Sequence, residues 1–291
     1  MKSQEFVITD INSNPLIKTF HSTVSAGKRE YTEHHHTECE FSMCLTGSGV
    51  YRVGSFEYEF KSGDIFIFAS DEVHCITNIY PSDAIDLFNI HFEPRLIWAS
   101  GDMSTLPLLM LFNERSDSFS NMIDRENPNT ETIKTLLFDI ENQFKTDKLG
   151  SDLKIKLDVY NILLLLLNEY GYVNQRGESS PNTLIFRQLS DAMNYINENL
   201  SRSLTLDEVA HVATMSKSYF STVFKKYNGI SPWNYITIKR VEKAISLLKN
   251  SGLSKTEIAG QCGFASPANF YKAFANITGK TPSYYSTHHS G

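Results

Sequence analysis

The chain has 291 residues, of which 41% are hydrophobic, and a net charge of −6. That length accommodates two domains, each with its own core, and the apolar fraction is ordinary for a soluble globular protein. The longest apolar run, ILLLLL at 162–167, is far shorter than the roughly 20 residues of a membrane-spanning helix, so it reads as a buried helix and no membrane partner is expected. No basic head followed by an apolar core opens the chain, so no secretory signal is expected. Cys39, Cys44, Cys75 and Cys262 lack Cys-x-x-Cys spacing and are expected to be small, reduced, buried residues in a cytoplasmic protein. Charge is unevenly distributed. Residues 1–181 carry 15 Lys and Arg against 27 Asp and Glu, whereas residues 182–291 carry 12 against 6. Only the basic last third is suited to a polyanionic partner.

In chain order, residues 6–98 read as short β segments. GVYRVGSFEYEF alternates, with Phe56, Tyr58 and Phe60 on one face and Glu57 and Glu59 on the other. GDIFIFA is a fully apolar strand opened by a turn, and IDLFNIHFEP is a strand ended by Pro94. Such strands between glycine turns predict a sandwich or small barrel. After Ser104 the texture turns helical. TLPLLMLFNE predicts a short helix, TETIKTLLFDIENQF an amphipathic one, and SDLKIKLDVYNILLLLLNEYGYV a longer one with Ser151 at its N-cap. The last is apolar around much of its circumference, so it needs cover on more than one side and predicts a dimer interface in the annex. NQRGESSPN at 174–182 is the expected linker. The predicted organisation is therefore α+β with two domains. A sensor occupies 1–173, with a β-barrel at about 6–98 and a helical annex at about 104–173, and an all-α domain occupies 183–291.

The C-terminal third contains a near-repeat. SLTLDEVAHVATMSKSYFSTVFKKYNGISPWNY and GLSKTEIAGQCGFASPANFYKAFANITGKTPSYY each present a helix centred on Ala210 or Ala259 and a short turn. Each continues with a capping Ser216 or Ser266 and a second helix with Phe at i and i+4, namely Phe220 and Phe224, or Phe270 and Phe274. Each closes in Gly229 or Gly279 followed by Ser/Thr-Pro. The paired rings fall on one buried helix face. Two helices joined by a tight turn, twice over and connected by one long helix, predict a double helix-turn-helix. These residues resemble the AraC/XylS family of transcription regulators over 184–285. The resemblance implies that each unit lays its second helix in the major groove of double-stranded promoter DNA, in a ligand-responsive regulator and not an enzyme. A homodimer, RNA polymerase as a further partner and action as an activator are expected. The exposed reading face is expected at Lys217, Ser218, Ser221, Thr222 and Lys225 in the first unit, and at Ala268, Asn269, Tyr271 and Lys272 in the second. Asn pairs bidentately with adenine and Lys donates to guanine acceptors. Lys226, Lys239 and Arg240 are assigned to phosphates or to internal structure.

The N-terminal part holds a second constellation. In TEHHHTECEFSMCLTG and GDIFIFASDEVHCITN, the residues Gly27, His34, His36, Glu40, Gly47, Gly63, His74 and Asn78 resemble the paired motifs of the cupin superfamily. One spacing differs by a residue, and Ala69 and Asp71 stand in place of the family's Pro and Gly. The resemblance implies a jelly-roll barrel and a divalent metal on His34, His36, Glu40 and His74, although no cofactor is required. Two other uses stay open. The cluster is the polar floor of an effector pocket, with His34, His36, Glu40, Tyr51, His74 and His91 contacting a small molecule, a sugar being the expected class; or its members are rim groups. A metal-dependent cupin enzyme fused to a DNA-binding module is the alternative function.

Overall fold

The computed structural model describes residues 5–9, 15–25, 32–80, 84–98, 105–146, 148–173 and 181–287. The chain divides into two compact units, one built chiefly on Leu16–Trp98 and Ser104–Gly177 and the other on Glu178–Gly291. The expected linker at 174–182 lies mostly outside the described residues, as does Gly27.

The first unit is β-rich. Its strands are β1 (Phe6–Thr9), β2 (Pro15–Ser25), β3 (Cys39–Thr46), β4 (Ser48–Val53), β5 (Phe56–Lys61), β6 (Ile65–Phe68), β7 (His74–Ile79) and β8 (Ala84–Phe92). They form a five-stranded sheet in the order β1-β2-β8-β3-β6 and a three-stranded sheet in the order β5-β4-β7. The expected barrel thus takes an open, two-sheet form. A shared core of Cys44, Tyr51, Phe60, Phe66, Phe68, Ile76 and Leu87 lies between the sheets. β3 is buried along nearly its whole length, because both of its faces are covered. Glu40, Ser42 and Cys44 share one face by the two-residue period, and Cys44 reaches the inter-sheet core. Phe41, on the other face, packs with its ring tilted against Phe92 of β8, and Phe92 packs edge-on against Phe112 of the annex.

The annex contains α1 (Arg95–Trp98), α2 (Leu106–Asn113), α3 (Thr130–Thr146) and α4 (Ser151–Glu169). Arg115 grips Glu72 at 2.5 Å and Arg125 grips Asp64 at 2.6 Å, so two half-exposed guanidiniums fasten the annex loop to turns of the β unit. Ser151 is the first residue of α4 instead of its N-cap, which is Gly150. The Ser151 hydroxyl accepts from the Lys148 backbone N–H and donates to Gln143, pinning α4 to α3. α4 buries Ile155, Val159, Ile162, Leu163 and Leu166, yet Leu153, Leu157 and Leu164 stay exposed on the opposite side. No helix among the described residues is long and apolar enough to cross a membrane. All four cysteines are buried. Burial pushes the Cys39 thiol up to about 12 and that of Cys262 to about 11.

The second unit is helical: α5 (Pro181–Glu198), α6 (Leu206–Val212), α7 (Lys217–Asn228), α8 (Pro232–Asn250), α9 (Lys255–Gln261), α10 (Pro267–Thr278) and α11 (Pro282–Thr287). α6–α7 and α9–α10 are the two predicted helix-turn-helix units, joined by α8. Capping boxes start both first helices, Thr205 with Glu208 and Ser254 with Glu257. Ser216 and Ser266 cap the second helices by accepting from Tyr219 N–H and Asn269 N–H. Left-handed Gly229 and Gly279 end them. Phe220 and Phe224, like Phe270 and Phe274, are fully buried. Their rings meet at 5.4 and 5.5 Å.

Candidate effector pocket and nucleic-acid interface

β3 carries Glu40 into the space between the sheets, where it is 4% exposed. Its Oε2 lies 2.9 Å from His36 Nε2, 3.4 Å from His74 Nε2 and 3.3 Å from His91 Nε2. The antiparallel register sets Glu40 opposite His91, and the isolated bridge between His34 and His74 delivers the other histidines. Burial pushes the Glu40 carboxyl up, but the three surrounding imidazoles prevail and hold it well below the usual carboxylate range. Burial opposes charge on His36 as well. The hydrogen bond and charge of Glu40 outweigh it and raise the imidazole's pKa. Burial, and then the neighbouring His74, lower that of His34. His74 lies flat on Phe68, with centroids 4.0 Å apart, and His36 stacks on His91 at 4.1 Å.

Beside this cluster a cavity of about 380 Å³ is lined by Phe20, Ser22, Val24, Thr32, His34, Glu40, Tyr51, Ile76, Leu87, Asn89 and His91. Of the expected pocket residues, His34, Glu40, Tyr51 and His91 line it, whereas His36 and His74 stand behind Glu40 and contact the carboxylate. Tyr51 is buried; burial, and secondarily Glu40, raise its phenol well above the ordinary value. Phe66 and Phe68 are core residues without cavity exposure. Sequence reasoning missed Phe20, Ser22 and Asn89. Ser42 Oγ donates to Asn89 Oδ1 at 2.7 Å, and Asn89 Nδ2 donates to Ser22 Oγ at 3.0 Å. This chain of polar groups crosses three neighbouring strands. The sole signal for it was the odd polar residue in otherwise apolar strands, Ser42 in CEFSMC and Asn89 in LFNIHF.

In the helical unit, Lys217, Ser218, Thr222 and Lys225 are exposed on α7, and Ala268, Asn269, Tyr271 and Lys272 on α10. Ser221 is half-buried, and its hydroxyl donates to the Lys217 carbonyl at 2.9 Å. The Thr222 hydroxyl donates to the Ser218 carbonyl at 3.1 Å, and Lys217 Nζ lies 2.9 Å from Asp207. Arg240 is structural: it donates to the carbonyls of Leu200 and Arg202 at 3.1 and 2.8 Å. Lys239 pairs with Glu242, and Lys226 lies over the Tyr227 ring.

A β-rich sensor unit with an internal polar pocket, followed by a capped pair of helix-turn-helix units, defines a DNA-binding transcription regulator. Residues 21–163 match the model of the AraC-like ligand binding domain, and residues 209–288 match a helix-turn-helix domain model. The chain belongs to the AraC family of transcription regulators. It is 25% identical over 241 residues to the Msm operon regulatory protein of Streptococcus mutans, covering 82% of this chain and 80% of that one. It is 21% identical over 273 residues to the melibiose operon regulatory protein of Escherichia coli, covering 87% and 83%. Over 98 residues it is 36% identical to the raffinose operon transcriptional regulatory protein RafR of Pediococcus pentosaceus, covering 34% of this chain and 35% of that one.

Proposed function

We propose that this regulator controls genes of carbohydrate uptake or utilisation, acting in the cytoplasm as an activator whose signal is a sugar. The single observation that carries the reading is the cavity between the sheets. Its polar groups, the buried Glu40 and Asn89 and the half-buried Ser22 and His91, converge among the apolar side chains of Phe20, Tyr51, Ile76 and Leu87. A sugar presents hydroxyls that both donate and accept, and it has apolar ring faces; this lining answers both. A ligand lacking the hydroxyls leaves buried polar atoms unpaired and is disfavoured. The names of the raffinose and melibiose operon regulators support the class.

The exposed Leu153, Leu157 and Leu164 of α4 support a homodimer through the annex. The sugar shifts operator affinity by the difference in its own affinity for the two conformations of the regulator. DNA and the RNA polymerase recruited beside it are the remaining partners. The test is a thermal-shift screen of the full chain against raffinose, melibiose and other oligosaccharides. A ligand bound only by the folded state raises the melting temperature by mass action. A rise with at least one sugar, abolished in Glu40→Ala, is expected. No rise with any sugar at millimolar concentration counts against the sugar class.

A further inference from the structure

The connector helix α8 opens on Ser231-Pro232-Trp233. Ser231 caps it by accepting from the Asn234 N–H, and Pro232 occupies the first turn, where a missing N–H costs nothing. The helix buries Pro232, Tyr235, Ile236, Val241, Ala244 and Leu248. Trp233 is left out of that core and is 42% exposed. Its indole joins a large apolar ring to one N–H donor and has no acceptor.

Trp233, Thr237 and Arg240 follow one another at the helical period and line one groove of about 490 Å³. Asn269 and Ala273 of α10, again one turn apart, line the same groove. Asn269 thus belongs both to the groove and to the exposed face of the second unit's second helix, so the groove opens beside that face. Its chemistry is one-sided. None of its lining residues is acidic. Arg240 gives Nε and Nη2 to the carbonyls of Leu200 and Arg202. The Thr237 hydroxyl donates to the Trp233 carbonyl at 2.8 Å. The Trp233 indole N–H meets no acceptor among the described residues, and it stands near the exposed Asn269 amide.

We infer that Trp233 is a DNA-backbone contact, its N–H donated to a phosphate oxygen and its ring laid against the deoxyribose, next to the bases that Asn269 reads. The inference rests on the reading of α10 as a base-contacting helix. Two features of the groove favour DNA as its occupant: it continues the face that carries Asn269, and it presents donors without carboxylates in a unit with 12 Lys and Arg against 6 Asp and Glu over residues 182–291. Phosphate contacts fix register and orientation and carry no sequence information of their own. A lysine on a phosphate displaces a counterion, so its contribution fades as salt rises. A neutral indole displaces none. Trp233 therefore adds affinity that is indifferent to base sequence and to salt, and it positions α10 over the bases.

The test uses the full chain and two DNA duplexes, one selected by the chain from random sequence and one with that sequence scrambled. Affinities across a salt series give the salt slope, and phosphate ethylation interference locates the backbone contacts. Trp233→Ala should weaken both duplexes by the same factor, about three- to tenfold, with the parent's salt slope retained. Trp233→Phe keeps a ring without the N–H. It should lose sensitivity at one phosphate whose ethylation blocks the parent, a change that a purely structural role would not produce. The melting temperature of each variant controls for folding, and should Trp233→Ala fail to fold, Trp233→Phe is read in both measurements. Parental affinity for both duplexes, a loss confined to the selected duplex, a shallower salt slope, or an unchanged ethylation pattern overturns the inference. Asn269→Ala and Lys272→Ala are measured alongside. If these two bind as the parent does while the Trp233 variants lose affinity, the reading of α10 fails and the Trp233 contact stands.

Discussion

In the first helix-turn-helix the left-handed turn residue is Thr214, at φ +53°; in the second it is Gly263, at φ +79°. The two units share their capping boxes, their Phe pairs and their terminal glycines, yet their turns sit in different surroundings. A Cβ on Gly263 would lie 2.0 Å from the Leu200 carbonyl oxygen and 2.9 Å from the Arg240 guanidinium. The Thr214 side chain is exposed, and its hydroxyl accepts from Gln188. Their second helices differ as well. On α7 the hydroxyls of Ser221 and Thr222 bond to their own helix backbone, and Lys217 is paired with Asp207. On α10, Asn269, Tyr271 and Lys272 are exposed. Similar packing therefore carries two different surfaces, and we propose that the second reads bases while the first is positioned against the phosphates.

The largest effect that could break this comparison is at the turns. Gly263→Ala forces a left-handed residue into contact with a backbone oxygen. It should cost roughly 2–4 kcal/mol in chemical denaturation, from overpacking and from the left-handed penalty together. Thr214→Gly should change stability by less than about 1 kcal/mol. Equal costs at both sites would remove the distinction.

At the DNA surface, Asn269→Ala and Lys272→Ala should each weaken specific operator binding by about 1–3 kcal/mol at fixed salt. Asn269→Ala should also relax preference at one base position. Lys217→Ala should cost less, about 1 kcal/mol or under, and uniformly across sequences, because its ammonium is already shared with Asp207. Competition binding against single-base operator variants separates the two outcomes. A larger or sequence-dependent loss at Lys217 would reverse the assignment.

The shared capping devices should behave alike. Thr205→Ala and Ser254→Ala should each lose about 1 kcal/mol. A large disparity between them in urea denaturation would show that the units are not equally dependent on their caps.

The smallest effect is the pH response of the boxes. The Glu208 carboxyl is held low first by the Tyr195 hydroxyl and then by Arg202, and that of Glu257 by Ser254 alone. For a depressed carboxyl, the stabilisation is present above the unfolded value near 4.5 and is lost as pH falls through the folded value. The melting temperatures of Glu208→Gln and Glu257→Gln should therefore converge on that of the parent as pH drops below about 4.5. A constant gap down to pH 3 would deny the carboxylates this role.

Much of the helical unit was legible in the sequence because its signals are local. Ser216, Ser266, Gly229 and Gly279 punctuate helices within a few residues, and the Phe pairs report a buried face by their spacing alone. The commitment of Lys217 to Asp207 was not legible, since it depends on how α6 meets α7. In the sensor, the strand period made His36 and Glu40 companions, and the paired motifs brought in His74. The 380 Å³ cavity was legible only in part. Phe20, Ser22 and Asn89 come from β2 and β8, and their meeting is a matter of antiparallel register between distant segments. The same register sets His91 against Glu40, a pairing that motif spacing along one strand could not foretell. Ser151 shows a smaller displacement: its hydroxyl was expected to cap α4 and instead ties α4 to α3.

The most direct measurement is the affinity of the full chain for its operator at one salt concentration, with and without a saturating sugar found by thermal shift. The sugar should change the parent's affinity by about 5–150-fold, a coupling of about 1–3 kcal/mol. In His36→Ala, checked to be folded, that change should be lost while sugar-free affinity stays at the parent value. An operator affinity that is the same with and without the bound sugar would contradict it.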